Sequence, residues 1–223
     1  MISGPSLPTL VGERLTLRPY GAGFSESELA LLYAWARDDD LLALCGGARI
    51  DLDYPRFREV FLEQCLRQDP EREQIFGIVN PAGRLVGRIG LFGLSRASGS
   101  HGAELGIVIG DRDSWGQGYG REAAGILADY AFGRLGLRQV TLYTFPANRR
   151  ARQAFAAAGF SEIRKLRRFN LELGTHDEVE MQIRPADRLR LAPIFDQGHV
   201  ETPPPFTELG QDSGSTPPSA DAG

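Results

Sequence analysis

The chain has 223 residues, 42% of them hydrophobic, which is enough for one substantial core. Its formal net charge of −4 gives no basic surface for nucleic acid, and no apolar run approaches the roughly 18–20 residues of a membrane span. Two cysteines, Cys45 and Cys65, are too few for a disulfide framework or a zinc site, and without a charged-then-apolar leader a cytoplasmic protein is expected.

In chain order, residues 13–18 alternate, with Leu15 and Leu17 on one side and Arg14, Thr16 and Arg18 on the other, which predicts a half-buried strand ended by Pro19. Ser25 followed by Glu28 forms a capping box ahead of Leu29, Leu32, Tyr33 and Ala36, so a helix starts there. Asp53 with Pro55 opens a second helix through Phe57, Phe61 and Cys65. Residues 74–79 and 84–94, joined by Asn80-Pro81-Ala82-Gly83, read as an antiparallel hairpin. A strand over 103–109 then runs into a glycine-rich loop. After it come a helix over 121–135, a strand over 139–145, a helix over 149–158 and a last strand over 179–183. The order β-α-α-β-β-β-α-β-α-β predicts a mixed α/β domain covering residues 1–191. Residues 192–223 hold five acids, no Lys or Arg, and the proline runs 203–205 and 217–218, so this tail is expected to be unstructured and to carry the chain's acidity.

The chemistry is most legible at Trp115-Gly116-Gln117-Gly118-Tyr119-Gly120. Glycines on alternate positions between a strand and a helix let backbone N–H groups approach a ligand, and the helix start adds unpaired donors and the positive dipole end. Phosphate is the anion such a loop suits. Arg121, in the first turn of the helix, opposes the dipole unless an anion is bound. A Walker-type P-loop is excluded because Arg121-Glu122, not Lys-Ser or Lys-Thr, follows Gly120. A dinucleotide fold is excluded because the next strand ends Tyr143-Thr144-Phe145-Pro146, without the ribose-binding acid.

Three segments together carry a resemblance: Glu104-Leu-Gly-Ile-Val-Ile-Gly, then Gln117-Gly118-Tyr119-Gly120, then Asn148-x-x-Ala151-x-x-x-Phe155-x-x-x-Gly159-Phe160. In order and spacing they are similar to the signature motifs of GNAT acetyltransferases. Leu15-Thr16-Leu17-Arg18-Pro19 and Trp115-Gly-Gln-Gly resemble the branch of ribosomal-protein and spermidine N-acetyltransferases. The resemblance implies a mainly antiparallel sheet with splayed central strands and flanking helices. It also implies transfer of an acetyl group from acetyl-CoA to a primary amine, either a small molecule or a peptide N-terminus, by a monomer or homodimer.

The same resemblance assigns roles. Residues 116–120 (Gly116, Gln117, Gly118, Tyr119, Gly120) with Arg121 would hold the CoA pyrophosphate, and Trp115 stands where relatives often carry Arg or Gln. The backbone of Ile107, Val108 and Ile109 would pair with the pantetheine amides. Asn148 would help hold the cofactor arm, although a turn-forming Asn after Pro146 is an equal local reading. Glu104 is the candidate base. Phe155 replaces the tyrosine that in many relatives protonates the departing thiolate, and leaves Tyr119, Tyr143, His176 or solvent for that task. A second reading is a catalytically silent module that binds acetyl-CoA as a sensor or partner. The acids at 38–40, with Asp51 and Asp53, could attract a polyamine or basic N-terminus, but such acids at a helix end are more often simply solvated. No metal-ligand spacing is present.

Overall fold

Leu10, Leu15 and Leu17 are fully buried and begin the core. They lie on and between β1 (Thr9–Val11), which the sequence pattern does not predict, and β2 (Thr16–Pro19), shorter than the strand expected there. The computed structural model describes residues 7–95, 101–170, 174–188 and 200–201. Helix α1 (Glu26–Trp35) starts at the expected capping box, with the Ser25 hydroxyl accepting from the Glu28 N–H and the Glu28 carboxylate accepting from the Ser25 N–H. Helix α3 (Tyr54–Arg67) is capped by Asp53 as expected. Between them lies α2 (Asp39–Cys45), capped by Asp38 and closed by Gly46 in the left-handed region. Its acidic start was not recognised as a helix signal.

The predicted hairpin forms as β3 (Gln74–Val79) and β4 (Leu85–Ser95), with the Asn80 side chain accepting from the Ala82 and Arg84 N–H groups in the turn. Next come β5 (Gly102–Ile109), α4 (Tyr119–Gly133), β6 (Gln139–Thr144) and α5 (Arg149–Ala157). Then β7 (Ser161–Asn170), unpredicted, pairs with β8 (Gly174–Ile183), which is longer than the strand expected at 179–183. A short helix α6 (Pro185–Arg188) follows, docked on α4 through a bidentate Arg188–Asp129 pair at 2.7 and 2.8 Å. The tail expected over residues 192–223 and its boundary lie outside the described residues, except that Val200–Glu201 form β9 against β1.

The sheet runs β7-β8-β6-β5-β4-β3-β2-β1-β9, antiparallel throughout except at β5–β6. One face meets α4 and α5. There Ile126, Leu127 and Ala128 of α4 pack on Phe76, Ile89, Leu91 and Leu142. On the other face Leu32 and Phe57 from α1 and α3 close over Leu85.

Candidate active site

Strands β5 and β6 pair only through Gly102↔Gln139, Ala103↔Val140 and Glu104↔Thr141. Beyond Glu104 they part, while β5 stays paired with β4 as far as Ile109↔Gly87. A parallel sheet interrupted in this way leaves main-chain donors and acceptors of β5 facing a gap, and such groups require a partner. Two cavities occupy the gap, of about 410 and 360 Å³, and share Leu44, Cys45, Ile107, Val108, Ala151 and Phe155 among their linings. They adjoin along these residues and together mark out a passage.

At one end of the passage lies the glycine loop. Gly116 (φ 78°) and Gly118 (φ 81°) adopt left-handed backbone that a side chain would strain, and Gly118 is the residue that starts α4. Gly118 offers no side chain to cap the helix, so the first N–H groups of α4 remain available to an anion. Trp115, Gly116, Gly118, Tyr119, Gly120 and Arg121 all line this end, whereas Gln117 does not. The Gln117 side chain instead donates to the Asp113 carbonyl at 2.7 Å, and the Gln117 main-chain carbonyl accepts from the Arg14 guanidinium at 3.0 Å. The loop is anchored by Glu122, a buried carboxylate in the first turn of α4 that accepts from the Arg14 and Leu15 N–H groups at 2.6 and 3.0 Å and pairs with the Arg14 guanidinium.

Trp115 donates its indole N–H to the Ile109 carbonyl at 2.8 Å, which removes that acceptor from the edge offered to a ligand. Its ring carries the Arg150 guanidinium at 3.7 Å. Arg150 also lines the loop end of the passage and went unrecognised in the sequence, although the Arg149-Arg150 pair directly behind Asn148 was the available signal. Asn148 does two jobs: its Oδ1 caps α5 through the Ala151 N–H, and its Nδ2 donates to the Leu44 carbonyl at 3.2 Å. That second bond ties α5 to α2 across the passage.

Glu104 stands at the other end, on the face of β5 shared with Gly106 and Val108. Solvent still reaches it, yet partial burial raises its pKa above the usual glutamate range, with Glu178 adding to the rise and Arg168 opposing it. Phe155 is buried where the two cavities meet and packs 6.1 Å from Phe160. Of the alternative proton donors, Tyr143 lines the Glu104 end beneath Arg168, Tyr119 lies at the loop end, and His176 is bound to Glu178 at 2.9 Å. No cluster of side chains suited to a metal ion occurs among the described residues.

Residues 14–161 match the family model described as the acetyltransferase (GNAT) domain. The chain belongs to the GNAT acetyltransferase family. As a member it is an acetyl-CoA-dependent acyltransferase. A search among curated proteins gave no match. Among solved structures, the spermidine N-acetyltransferase of Vibrio cholerae in complex with CoA and spermine superposes with TM-score 0.65 at 20% identity, covering 78% of this chain and 98% of that one. A GNAT-family acetyltransferase from Bacillus anthracis gives 0.61 at 18%, covering 79% and 98%. At such identities the likeness is one of fold. The splayed, mainly antiparallel sheet with flanking helices is therefore the GNAT fold expected from the motifs.

The residues present fit acetyl-CoA. An uncapped helix start with two left-handed glycines suits a pyrophosphate, and a strand edge left open by a neighbour's departure suits an amide-bearing arm.

Proposed function

We propose that this GNAT enzyme transfers the acetyl group of acetyl-CoA to a primary amine that enters beside Glu104. The observation that carries the reading is a pair of adjoining cavities that run from the uncapped start of α4, along the free edge of β5, to a carboxylate whose proton affinity is raised. In this reading the N–H groups of residues 118–121 hold the pyrophosphate, with Arg121 and Arg150 supplying charge on either side. The main chain of Ile107 and Val108 holds the pantetheine arm, while Phe155 and Ala151 shield it from water. Bound acetyl-CoA supplies a thioester carbonyl open to attack by an amine.

Glu104 accepts the ammonium proton of the acceptor, directly or through one water, and its raised pKa brings it nearer to the operating pH, where a general base works best. Phe155 has no proton to give. Tyr143, whose pKa is raised mainly by burial, keeps its phenolic proton at neutral pH and lines the same cavity as Glu104 and Phe155, with Arg168 over its ring at 4.2 Å, which makes it the candidate donor.

The test is calorimetric titration of the purified protein with acetyl-CoA, followed by thiol release with a panel of amines. Saturable binding that Gly118→Glu abolishes supports the cofactor site, because the new side chain is both strained and anionic where the pyrophosphate would sit. Binding with no thiol release from any amine, in both the native enzyme and Glu104→Gln, would instead favour the silent acetyl-CoA-binding module. Absence of binding in folded protein sinks the reading.

A further inference from the structure

We infer that the acceptor is an amphoteric amine, one that carries an anionic group such as a carboxylate besides the amine to be acetylated, and that Arg88 receives that group. The inference rests on the acetyltransferase reading and narrows its substrate class.

The acceptor end of the passage is lined by four permanently charged or readily ionised side chains: Arg88, Glu104, Arg168 and Glu178. Arg168 and Glu178 cancel one another, with Arg168 Nη1 donating to Glu178 Oε2 at 3.2 Å, and Glu178 also binds His176. The Glu178 hydrogen bond raises the His176 pKa, so this corner carries, if anything, added positive charge. What remains is one carboxylate, Glu104, and one cation, Arg88, which has no ion-pair partner among the described residues. The polar neighbour of Arg88 on the helix side is the buried Tyr20 hydroxyl, a neutral group that cannot balance it.

The strand register fixes how these two charges face one another. Glu104 is opposite Phe92, and Arg88 is opposite Val108, in an unbroken antiparallel pairing of β4 with β5. Arg88, Gly90, Phe92, Glu104, Gly106 and Val108 therefore share one face. Gly90 and Gly106 have no side chains, and a Cβ on either would meet the Phe92 ring at 3.0 Å. The floor between the two charges is thus flat and apolar. Four residues of strand separate the Arg88 and Phe92 backbones by roughly 13 Å, and both Arg88 and Glu104 line the cavity between them.

A polycation is poorly served by this arrangement. Three ammonium groups need an excess of carboxylates, and of the acids that the sequence offered for this purpose all but Asp51, which lines neither cavity, are engaged elsewhere. Asp38 caps α2 and pairs with Arg112, Asp40 pairs with Arg112, Asp39 pairs with Arg49, and Asp53 caps α3. None of them lines the passage. A ligand with an amine at one end and a carboxylate at the other satisfies both unbalanced charges without burying a third.

The experiment compares acceptors of equal carbon number: β-alanine, γ-aminobutyrate and ε-aminocaproate against diaminopropane, diaminobutane and diaminohexane, with spermidine as the polycation. Both kcat/KM by thiol release and equilibrium binding to the CoA-loaded protein are measured. The amino acids are expected to be preferred over their matched diamines. Arg88→Gln should lose roughly ten- to hundredfold of that preference, the value of one charge-assisted pairing, Arg88→Lys should retain part of it, and Arg88→Glu should invert it. A pentapeptide with glutamate behind its free amino terminus, beside the same peptide with glutamine, separates a peptide source of the carboxylate from a free amino acid. Preference for the diamines or spermidine, equal losses for both series in Arg88→Gln, or no saturable binding of any amino acid or of the glutamate peptide would each overturn the proposal. Failure to bind acetyl-CoA would instead overturn the acetyltransferase reading beneath it.

Discussion

Glu104 is solvent-accessible, yet it is desolvated enough on one side that its proton is held more tightly than in free glutamate. If it is the base, kcat/KM should rise with pH through a value above the usual ~4.3 of glutamate, and Glu104→Gln should remove that limb and lower the rate by about 10²–10⁴-fold. The sign of the linkage is opposite for stability. A raised carboxyl favours folding below its unfolded pKa and does so less as pH climbs through the folded value, so Glu104→Gln should be slightly more stable than the parent at neutral pH by urea midpoint. Glu122 makes the contrary case, because its carboxylate holds two backbone N–H groups and the Arg14 guanidinium in a buried setting. Glu122→Ala is expected to cost about 1–3 kcal/mol in chemical denaturation, chiefly because the buried Leu15 N–H loses its acceptor, while the exposed Arg14 can turn to water.

Helices α2 and α5 meet through the two-sided Asn148, which caps one and holds the other by its Leu44 carbonyl. Asn148→Ser keeps a capping hydroxyl, while Asn148→Ala keeps neither bond and should cost a further ~1 kcal/mol of stability. Both should raise the acetyl-CoA dissociation constant alike if α2 must be held to wall the passage, and titration calorimetry distinguishes this from a pure capping effect. The legibility of such elements in the sequence follows their chemistry. Capping boxes, the Asn80 turn and the glycine loop are local signals, and each appeared where expected. Strand β7 gave no such signal, because its strand state comes from outside, through the antiparallel ladder with β8 that pairs nine of its residues. The motif residues carry a local pattern of their own, to which Arg88 and Arg150 do not belong. Arg88 becomes notable only when the pairing of β4 with β5 puts it on one floor with Glu104, and Arg150 only when α5 brings it onto Trp115.

For the molecule as a whole, the parted strands divide the sheet into a β9-to-β5 part and a β6-to-β7 part that share three residue pairs along β5 and β6. A ligand seated between them ties the parts together in the native state alone. Acetyl-CoA at a hundred times its dissociation constant should then stabilise the fold by about 2.7 kcal/mol. For a chain of this size that corresponds to a rise in Tm of roughly 5–10 °C by differential scanning fluorimetry. Gly118→Glu should show no such rise.

The free edge of β5 and the uncapped start of α4 are made of main chain, and side-chain substitution cannot delete a peptide group. On the proposed reading, the donor half of the site is robust to mutational drift, provided that the left-handed positions stay glycine. The proposed acceptor half rests instead on the side chains of Arg88 and Glu104, either of which a single codon changes. New acceptors would then be reached one residue at a time, with the hold on the acetyl donor left intact.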